Sequence, residues 1–239
     1  TDLPELELWL NAEDGLTLDD SGRVSLWEDL SGGRIEISQP FEDQRPLLIE
    51  NEVNFQPVIR FDGVNDFMVG SGIDLRAVDE LTVVMVTSAR SNQNPDDWSF
   101  GGAYSQLYFE GIEDDLGRQY LSIQQDRVNW YLGTGSSQWP IDSSYARPSN
   151  IGDDFTVTML IKDGVNEELY INGAGPVATH ISEEFLADAR QSFWLGRGLA
   201  DHNYSYFDGD IAVMIILTSA LDSTQRLELN NYLMTKYGL

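Results

Sequence analysis

Two aspartates stand two positions apart in the stretch YFDGDI, and this spacing could hold a metal ion. Residues i and i+2 of an extended segment lie on one face, so Asp208 and Asp210 would present their carboxylates together. Carboxylate oxygens join backbone carbonyl groups around hard cations such as calcium. The sequence therefore predicts a structural calcium ion at Asp208 and Asp210, and a turn with two solvated acids stays open as the alternative.

Aromatic residues in three Gly/Ser/Asn-rich segments could bind sugars. These segments span residues 91–105, 133–150 and 198–206. Aromatic rings stack on the apolar faces of pyranose rings, while Asn, Asp and Arg bond to hydroxyl groups. We expect ligand recognition at one end of the molecule, and for any single ring the alternative is packing against the core. The predicted carbohydrate-binding residues are Trp98, Tyr104, Trp139, Tyr145, His202 and Tyr204. The tryptophans in strand patterns are predicted to be core residues: Trp9, Trp27, Trp130 and Trp194.

Enzyme signatures are weak in this chain. Retaining glycosidases place two carboxylates roughly 5–5.5 Å apart across one glycosidic bond. The nearest candidate is ELELW, where Glu5 and Glu7 share a strand face but Trp9 takes the third position. A lyase using His202 with Tyr204 or Tyr206 is a second alternative, although no partner motif accompanies it. We therefore predict no catalytic residue.

The stretch VIRFDGVNDFMV carries turn chemistry between two strands. An Asp side chain can accept hydrogen bonds from backbone N–H groups two residues further on, which stabilises a reversal of the chain. We therefore predict a structural role for Asp62 rather than a catalytic one.

Charge is the most unusual global property. The 239 residues include 40 acidic and 14 basic residues, which gives a formal net charge of −26. This charge argues against nucleic acid as a partner, because phosphate binding needs clustered Lys and Arg. Cysteine is absent, which excludes disulfides and thiol chemistry. No apolar run is long enough to span a membrane, so we expect no membrane insertion.

Short strands rich in Val, Ile, Tyr, Phe and Trp fill most of the chain, separated by Gly, Asn, Asp and Pro. Asp163-Gly164 predicts a hairpin turn.

The last segment, 221–239, predicts a helix with Asp222 as N-cap, Gln225 as its capping-box partner and Gly238 as the stop. The strand before the helix is apolar on both faces, so we expect the helix to cover it. The predicted strands are 6–10, 57–61, 81–89, 106–112, 120–124, 128–133, 155–162, 168–173, 192–196 and 210–217. The predicted apolar stripe of the helix is Leu229, Tyr232, Leu233 and Tyr237.

Three stretches carry a family resemblance: LWLNAEDG with VSLWEDLSG, then RPLLIENEVNFQPVIRFDGVNDFMV, and finally FDGDIAVMIILTSALDSTQRLELNNYLMTKYGL. In order and spacing they resemble the opening, middle and closing signatures of bacterial laminin-G-like domains in the concanavalin A-like lectin/glucanase superfamily. The resemblance implies an all-β fold, an antiparallel two-sheet jelly-roll sandwich with a C-terminal α-helix, as a single domain over residues 1–239. It also makes one structural calcium ion plausible.

The function expected from the resemblance is a non-catalytic carbohydrate-binding or adhesion module, secreted or displayed at the cell surface. Its partner would be a polysaccharide or a cell-surface glycan, and it would stand beside other domains of a longer chain. The alternatives are a polysaccharide hydrolase or lyase on the same jelly roll, and a structural spacer in a large surface protein. One fold hosts many functions, so a choice among the three needs the site.

The charge of −26 predicts that salt stabilises the protein. Like charges repel one another in the compact state, and dissolved ions screen that repulsion. Raising NaCl from low to moderate concentration should therefore raise the melting temperature, measured by circular dichroism. A flat or falling melting temperature would contradict this prediction.

Overall fold

The computed structural model describes eleven parts of the chain: residues 5–33, 35–71, 73, 78–90, 105–109, 119–123, 127–132, 143–146, 154–181, 192–197 and 206–239. These residues form two β-sheets, one α-helix and a 3₁₀ helix at Glu42–Gln44. For residues 105–146 it is the backbone pairing that is described. In the described ranges, no helix has the length and apolar content that crossing a membrane requires.

The first sheet has eight strands and lies beneath the helix. The strands are β1 (Leu6–Asn11), β5 (Leu47–Val53), β6 (Gln56–Asp62), β8 (Glu80–Ala89), β13 (Thr156–Asp163), β14 (Asn166–Ile171), β15 (Ala174–Ile181) and β17 (Asp208–Leu217). Their order is β15-β14-β13-β8-β17-β6-β5, and β1 also pairs with β17. Because β17 pairs with β6, β8 and β1, it lies at the centre of this sheet.

The second sheet has nine strands. They are β2 (Leu16–Leu18), β3 (Val24–Glu28), β4 (Glu36–Ser38), β7 (Met68–Ser71), β9 (Ser105–Phe109), β10 (Gln119–Ile123), β11 (Arg127–Leu132), β12 (Ser143–Ala146) and β16 (Ser192–Leu195). Their order is β12-β11-β10-β9-β16-β7-β4-β3-β2, and the pairs are antiparallel. The predicted all-β, antiparallel two-sheet sandwich with a C-terminal helix is confirmed.

Two apolar layers hold these elements together. The inner layer lies between the sheets and includes Trp27, Phe61 and Phe193. The outer layer lies between the eight-stranded sheet and the helix α1 (Ser223–Tyr237), and includes Val213 and Leu233. Since β17 contributes to both layers, the prediction that it is covered on both faces is confirmed.

The predicted ends of α1 are confirmed. Asp222 Oδ1 accepts hydrogen bonds from the backbone N–H of Thr224 at 2.8 Å and of Gln225 at 2.9 Å. The Gln225 side chain accepts from the N–H of Asp222 at 3.0 Å, which completes a capping box. Gly238 ends the helix at φ +68°, where a residue without Cβ is favoured. The predicted stripe is wrong at Tyr232, which is 58% exposed.

Candidate functional site

Most of the predicted sugar-binding residues lie outside the described residues: Trp98, Tyr104, Trp139, His202 and Tyr204. Tyr145 belongs to β12, where its backbone pairs with that of Val128. A shared carbohydrate site for these six residues therefore stays a prediction.

The strands that flank two of the predicted sugar-binding segments place their ends at opposite ends of the nine-stranded sheet. β9 begins at Ser105, opposite Ile123 at the end of β10. β11 ends at Leu132, opposite Gln119 at the start of β10. The four residue steps between these ends of β10 span roughly 13 Å at 3.3 Å per residue. The anchors of residues 91–104 and 133–142 therefore lie at opposite ends of β10, and recognition at one common end stays a prediction.

Asp208 and Asp210, the predicted calcium ligands, pair with arginines. Asp210 is 2% exposed and accepts from Arg60 Nε and Nη2, both at 2.8 Å. Arg90 Nη1 donates to Asp210 Oδ1 at 2.6 Å, and its Nη2 lies 2.8 Å from Asp208 Oδ1. Arg60 Nη2 also reaches Glu52 at 2.6 Å. We call these five residues the acid–arginine network.

The network bears on both readings of the aspartate pair. The alternative interpretation, a turn with two solvated acids, is wrong for Asp210, because this side chain is buried. Arg90 already brings a positive charge to both carboxylates, so a calcium ion here would compete with it. In the described part of the chain, no group of three or more His, Cys, Asp or Glu could hold a metal ion. The calcium ion stays a prediction.

Asp62 forms the turn that the sequence predicts. Its Oδ1 accepts from the backbone N–H of Val64 at 2.8 Å, Asn65 at 3.1 Å and Asp66 at 3.2 Å. This arrangement satisfies three donors of the reversal between β6 and β7. The structural role predicted for Asp62 is confirmed, and the turn places Phe67 directly before β7.

Asp66 is a buried carboxyl beside that turn. It is 2% exposed, accepts from the N–H of Asp62 at 3.2 Å, and lies 3.5 Å from Arg23 Nη1. Burial, and then the negative charge of Asp62, raise the pKa of Asp66 to about 7, although Arg23 opposes the shift. The carboxyl therefore changes charge near neutral pH.

Three aromatic rings surround Arg197 on the nine-stranded sheet. The guanidinium carbon of Arg197 lies 4.9 Å from the ring centroid of Phe67, 5.5 Å from that of Trp194 and 5.9 Å from that of Tyr206. The Phe67 and Tyr206 centroids are 6.4 Å apart. Such distances give favourable cation–π contacts. We call these four residues the aromatic–arginine cluster.

A tight backbone turn positions the cluster. Gly196 has φ +81°, and a Cβ there would lie 2.3 Å from the Phe61 ring, so a side chain cannot be placed without a clash. The turn brings Arg197 into a β-bridge with Tyr206, and the N–H of Phe207 donates to the Gly196 carbonyl at 2.9 Å. This bridge closes the ends of segment 198–205, so the cluster stands at the base of a predicted sugar-binding segment.

Aromatic residues continue from the cluster across the sheet. Trp194 is half-buried, whereas its neighbours Phe193 and Leu195 belong to the inner core. In the strand register Trp194 stands opposite Tyr108, Tyr108 opposite Tyr120, and Tyr120 opposite Tyr131. Directly opposed residues of antiparallel strands belong to one face of a sheet. The register therefore places one tryptophan and three tyrosines in a row over four strands.

The sequence interpretation missed this part of the site. Trp194 was predicted to be a core residue, but it is half-buried and contacts Arg197. Trp9 was assigned to the core as well, and it is 36% exposed, whereas Trp27 is buried as predicted. The alternation of SFWLG was the available signal, because it puts Trp194 on the face opposite Phe193 and Leu195.

The comparisons with known proteins identify the fold. No protein-family model matches the chain, and no curated protein matches it. Solved structures that are similar include the binding domain of botulinum neurotoxin serotype G (TM-score 0.68, 13% identity). Others are the binding domain of Paraclostridial Mosquitocidal Protein 1 (0.66, 15%) and the binding domain of botulinum neurotoxin DC in complex with SialylT (0.64, 13%).

The chain spans about half the length of these proteins. The three alignments cover 96%, 98% and 96% of this chain but 51%, 55% and 51% of the other chains. At these identities the likeness shows an all-β sandwich and no more. The finer laminin-G-like assignment stays a prediction.

Removing the buried anion of the network should destabilise the fold. Asp210→Ala leaves Arg60 and Arg90 without their shared buried partner, so we expect a loss of about 2–4 kcal/mol in the free energy of unfolding. The matched control is Glu52→Ala, which removes a more exposed partner of Arg60 and should cost about 0–1 kcal/mol. Urea unfolding followed by tryptophan fluorescence measures both. Equal stability of the two variants would contradict the prediction.

Asp66 should make stability depend on pH. Its folded pKa of about 7 lies above the ordinary value of 3.8. The folded state therefore binds more protons between these values, and stability falls as pH rises through this interval, by at most about 1.4 kcal/mol per pH unit. Asp66→Asn removes this ionisation, so the stability of the variant relative to wild type should increase from about pH 4 to about pH 7.

The control for this measurement is Asp43→Asn. Asp43 is an exposed aspartate on the neighbouring 3₁₀ helix. Its substitution should leave the pH dependence of the unfolding free energy unchanged. A constant difference between Asp66→Asn and wild type over the same interval would show that Asp66 titrates alike in the folded and unfolded chain.

Proposed function

We propose that this chain is a non-catalytic carbohydrate-binding or adhesion module of a secreted or surface protein, of the laminin-G-like type. The observation that carries the proposal is the row of aromatic residues beside the aromatic–arginine cluster. Trp194 faces away from the inner core, and the register continues the row through Tyr108, Tyr120 and Tyr131. Aromatic rings that lie in a row on a rigid sheet can stack on successive sugar rings.

The similar structures support a glycan as the partner. One is the botulinum neurotoxin DC binding domain in complex with SialylT. Another concerns botulinum neurotoxin type C, whose cell entry depends on interaction with two ganglioside molecules. These descriptions refer to chains about twice as long, so the site in this chain has to be argued from its own residues.

The segments next to the row complete the proposal. Residues 198–205 begin and end at the cluster, between Arg197 and Tyr206. His202 and Tyr204 would then contact a sugar bound on Trp194. Trp98 and Tyr104 precede β9, where Ser105 lies three residues before Tyr108 of the row. Tyr145 would act from β12 at the far side of the same sheet, and Trp139 belongs to the segment between β11 and β12.

The alternative function is a hydrolase or lyase, which would cleave the polysaccharide that it binds. Asp208 and Asp210, one pair of carboxylates that the structure brings together, are bonded to arginines on the sheet that carries the helix. Their oxygens accept hydrogen bonds from these arginines, so these carboxylates already have partners other than a substrate. In a second pair, Asp62 accepts the backbone bonds of its turn and Asp66 is buried. We therefore propose binding without catalysis. Release of reducing ends from a bound polysaccharide would contradict this.

Trp194→Ala should weaken glycan binding. We expect a loss of about 1–2 kcal/mol, or roughly tenfold in affinity, because one stacking ring is removed. The ligand would be taken from a glycan array, and affinities would be measured by calorimetry. The melting temperature is recorded for each variant so that lost folding is not read as lost binding.

Trp9→Ala is the matched control, because Trp9 is an exposed tryptophan on the other sheet. Its affinity should equal that of wild type. If wild type binds no glycan on the array, the spacer alternative is favoured. If Trp194→Ala and Trp9→Ala lose the same glycan affinity, the protein still binds a glycan, but Trp194 and the nine-stranded sheet do not form the site.

A further inference from the structure

Most arginines of the described residues are neutralised by acids. A carboxylate lies within 4.0 Å of the guanidinium of Arg23, Arg45, Arg60 and Arg90. Arg197 differs. Its side chain contacts three aromatic rings, and no carboxylate of the described residues pairs with it. Among the described residues Arg226 also has no paired carboxylate, but it lies over one ring, that of Tyr170, whereas Arg197 contacts three rings.

The three rings also hold the Arg197 guanidinium in a position from which its N–H groups can bind an anion. Aromatic faces attract the guanidinium and restrict its motion without using its N–H donors, since cation–π contact involves the π-system alone. The donors of an arginine form a planar fork that fits the two oxygens of a carboxylate. A guanidinium held in this way loses less entropy when it binds than a free side chain does.

We propose that Arg197 binds the carboxylate of an acidic sugar, so that the ligand of the nine-stranded sheet is a uronate-containing saccharide. This inference rests on the proposed function. The Arg197 guanidinium carbon lies over the Trp194 ring, 5.5 Å from its centroid, so a sugar that packs against the uncovered part of the indole would bring its carboxylate within reach of the fork. The pairing gives the site a preference that neutral hydroxyl groups do not provide.

The negative net charge of the chain means that long-range attraction cannot explain the binding of an acidic sugar. A charge of −26 repels an anionic polymer at long range, so general attraction cannot produce such binding. Affinity for a uronate must come from short-range contacts. Screening by salt weakens the long-range repulsion more than a partly desolvated contact, so moderate NaCl should leave the affinity unchanged or raise it.

The test compares each acidic oligosaccharide with its own neutral form. Short oligosaccharides of galacturonate, glucuronate and mannuronate are titrated by calorimetry beside their methyl esters, which keep every ring hydroxyl and lose the charge. Wild type should bind at least one acid form about tenfold more tightly than its ester, as expected for a charge-assisted hydrogen-bonded pair. Arg197→Gln should bind acid and ester alike.

Arg226→Gln is the matched control. The Arg226 guanidinium also lies on an aromatic ring, 4.0 Å from the centroid of Tyr170, but on the helix of the other sheet. It should keep the wild-type preference. If Arg197→Gln does not fold, the wild-type comparison of acid with ester still decides.

Each outcome has one meaning. Wild type that binds acids and esters equally, or binds only neutral glycans, overturns the uronate inference and leaves the proposed function standing. Tighter binding of a sulfated galactan than of every uronate overturns the choice of carboxylate. An Arg197→Gln variant that keeps the full preference removes Arg197 from the site. Wild type that binds no saccharide at all overturns the proposed function together with the inference.

Discussion

Burial of strand β17 on both faces is the constraint on which the rest of the structure depends. Large apolar side chains from one face fill the layer between the sheets, and those from the other fill the layer under α1. Each such side chain contributes about 1.5–3 kcal/mol when it is fully buried. The strand also bonds to β6, β8 and β1, so the eight-stranded sheet is assembled around it. Its inner-layer residues are Ile211, Met214 and Ile216, and its outer-layer residues are Val213, Ile215 and Leu217.

This constraint explains the acid–arginine network. β17 begins with Asp208 and Asp210, and the position of the strand buries the second carboxylate. A buried carboxylate needs a compensating charge and hydrogen-bond donors. The register sets Arg60 directly opposite Asp210, and Arg90 follows the end of the neighbouring strand β8. The network therefore fixes the ends of β6, β8 and β17 together, next to the positions where segments 91–104 and 198–205 begin.

The same end of the molecule carries the features that argue for binding. The Asp62 turn places Phe67, Gly196 allows the approach of Phe61, and the bridge between Arg197 and Tyr206 completes the cluster. These residues are held by backbone hydrogen bonds and by the core, so the rings are positioned before any ligand arrives. Pre-organisation of this kind reduces the entropy lost on binding. The likeness to neurotoxin binding domains shows the sandwich, while the argument for a sugar comes from these side chains.

Local sequence determined the features whose partners lie within a few residues. The Asp62 turn, the Asp222 capping box, the Asp163-Gly164 hairpin and the two-sided apolar pattern of β17 all follow from spacings of one to four residues, and all are confirmed. Short strands such as β7 (Met68–Ser71) carry too few residues for a periodic signal, and pairing with their neighbours forms them.

Tertiary structure alone decided which charges meet, because Asp210 and its partner Arg60 are 150 positions apart. It also decided which tryptophans reach the surface and which tyrosines share their row, since strand order and register are set by the packing of the whole chain.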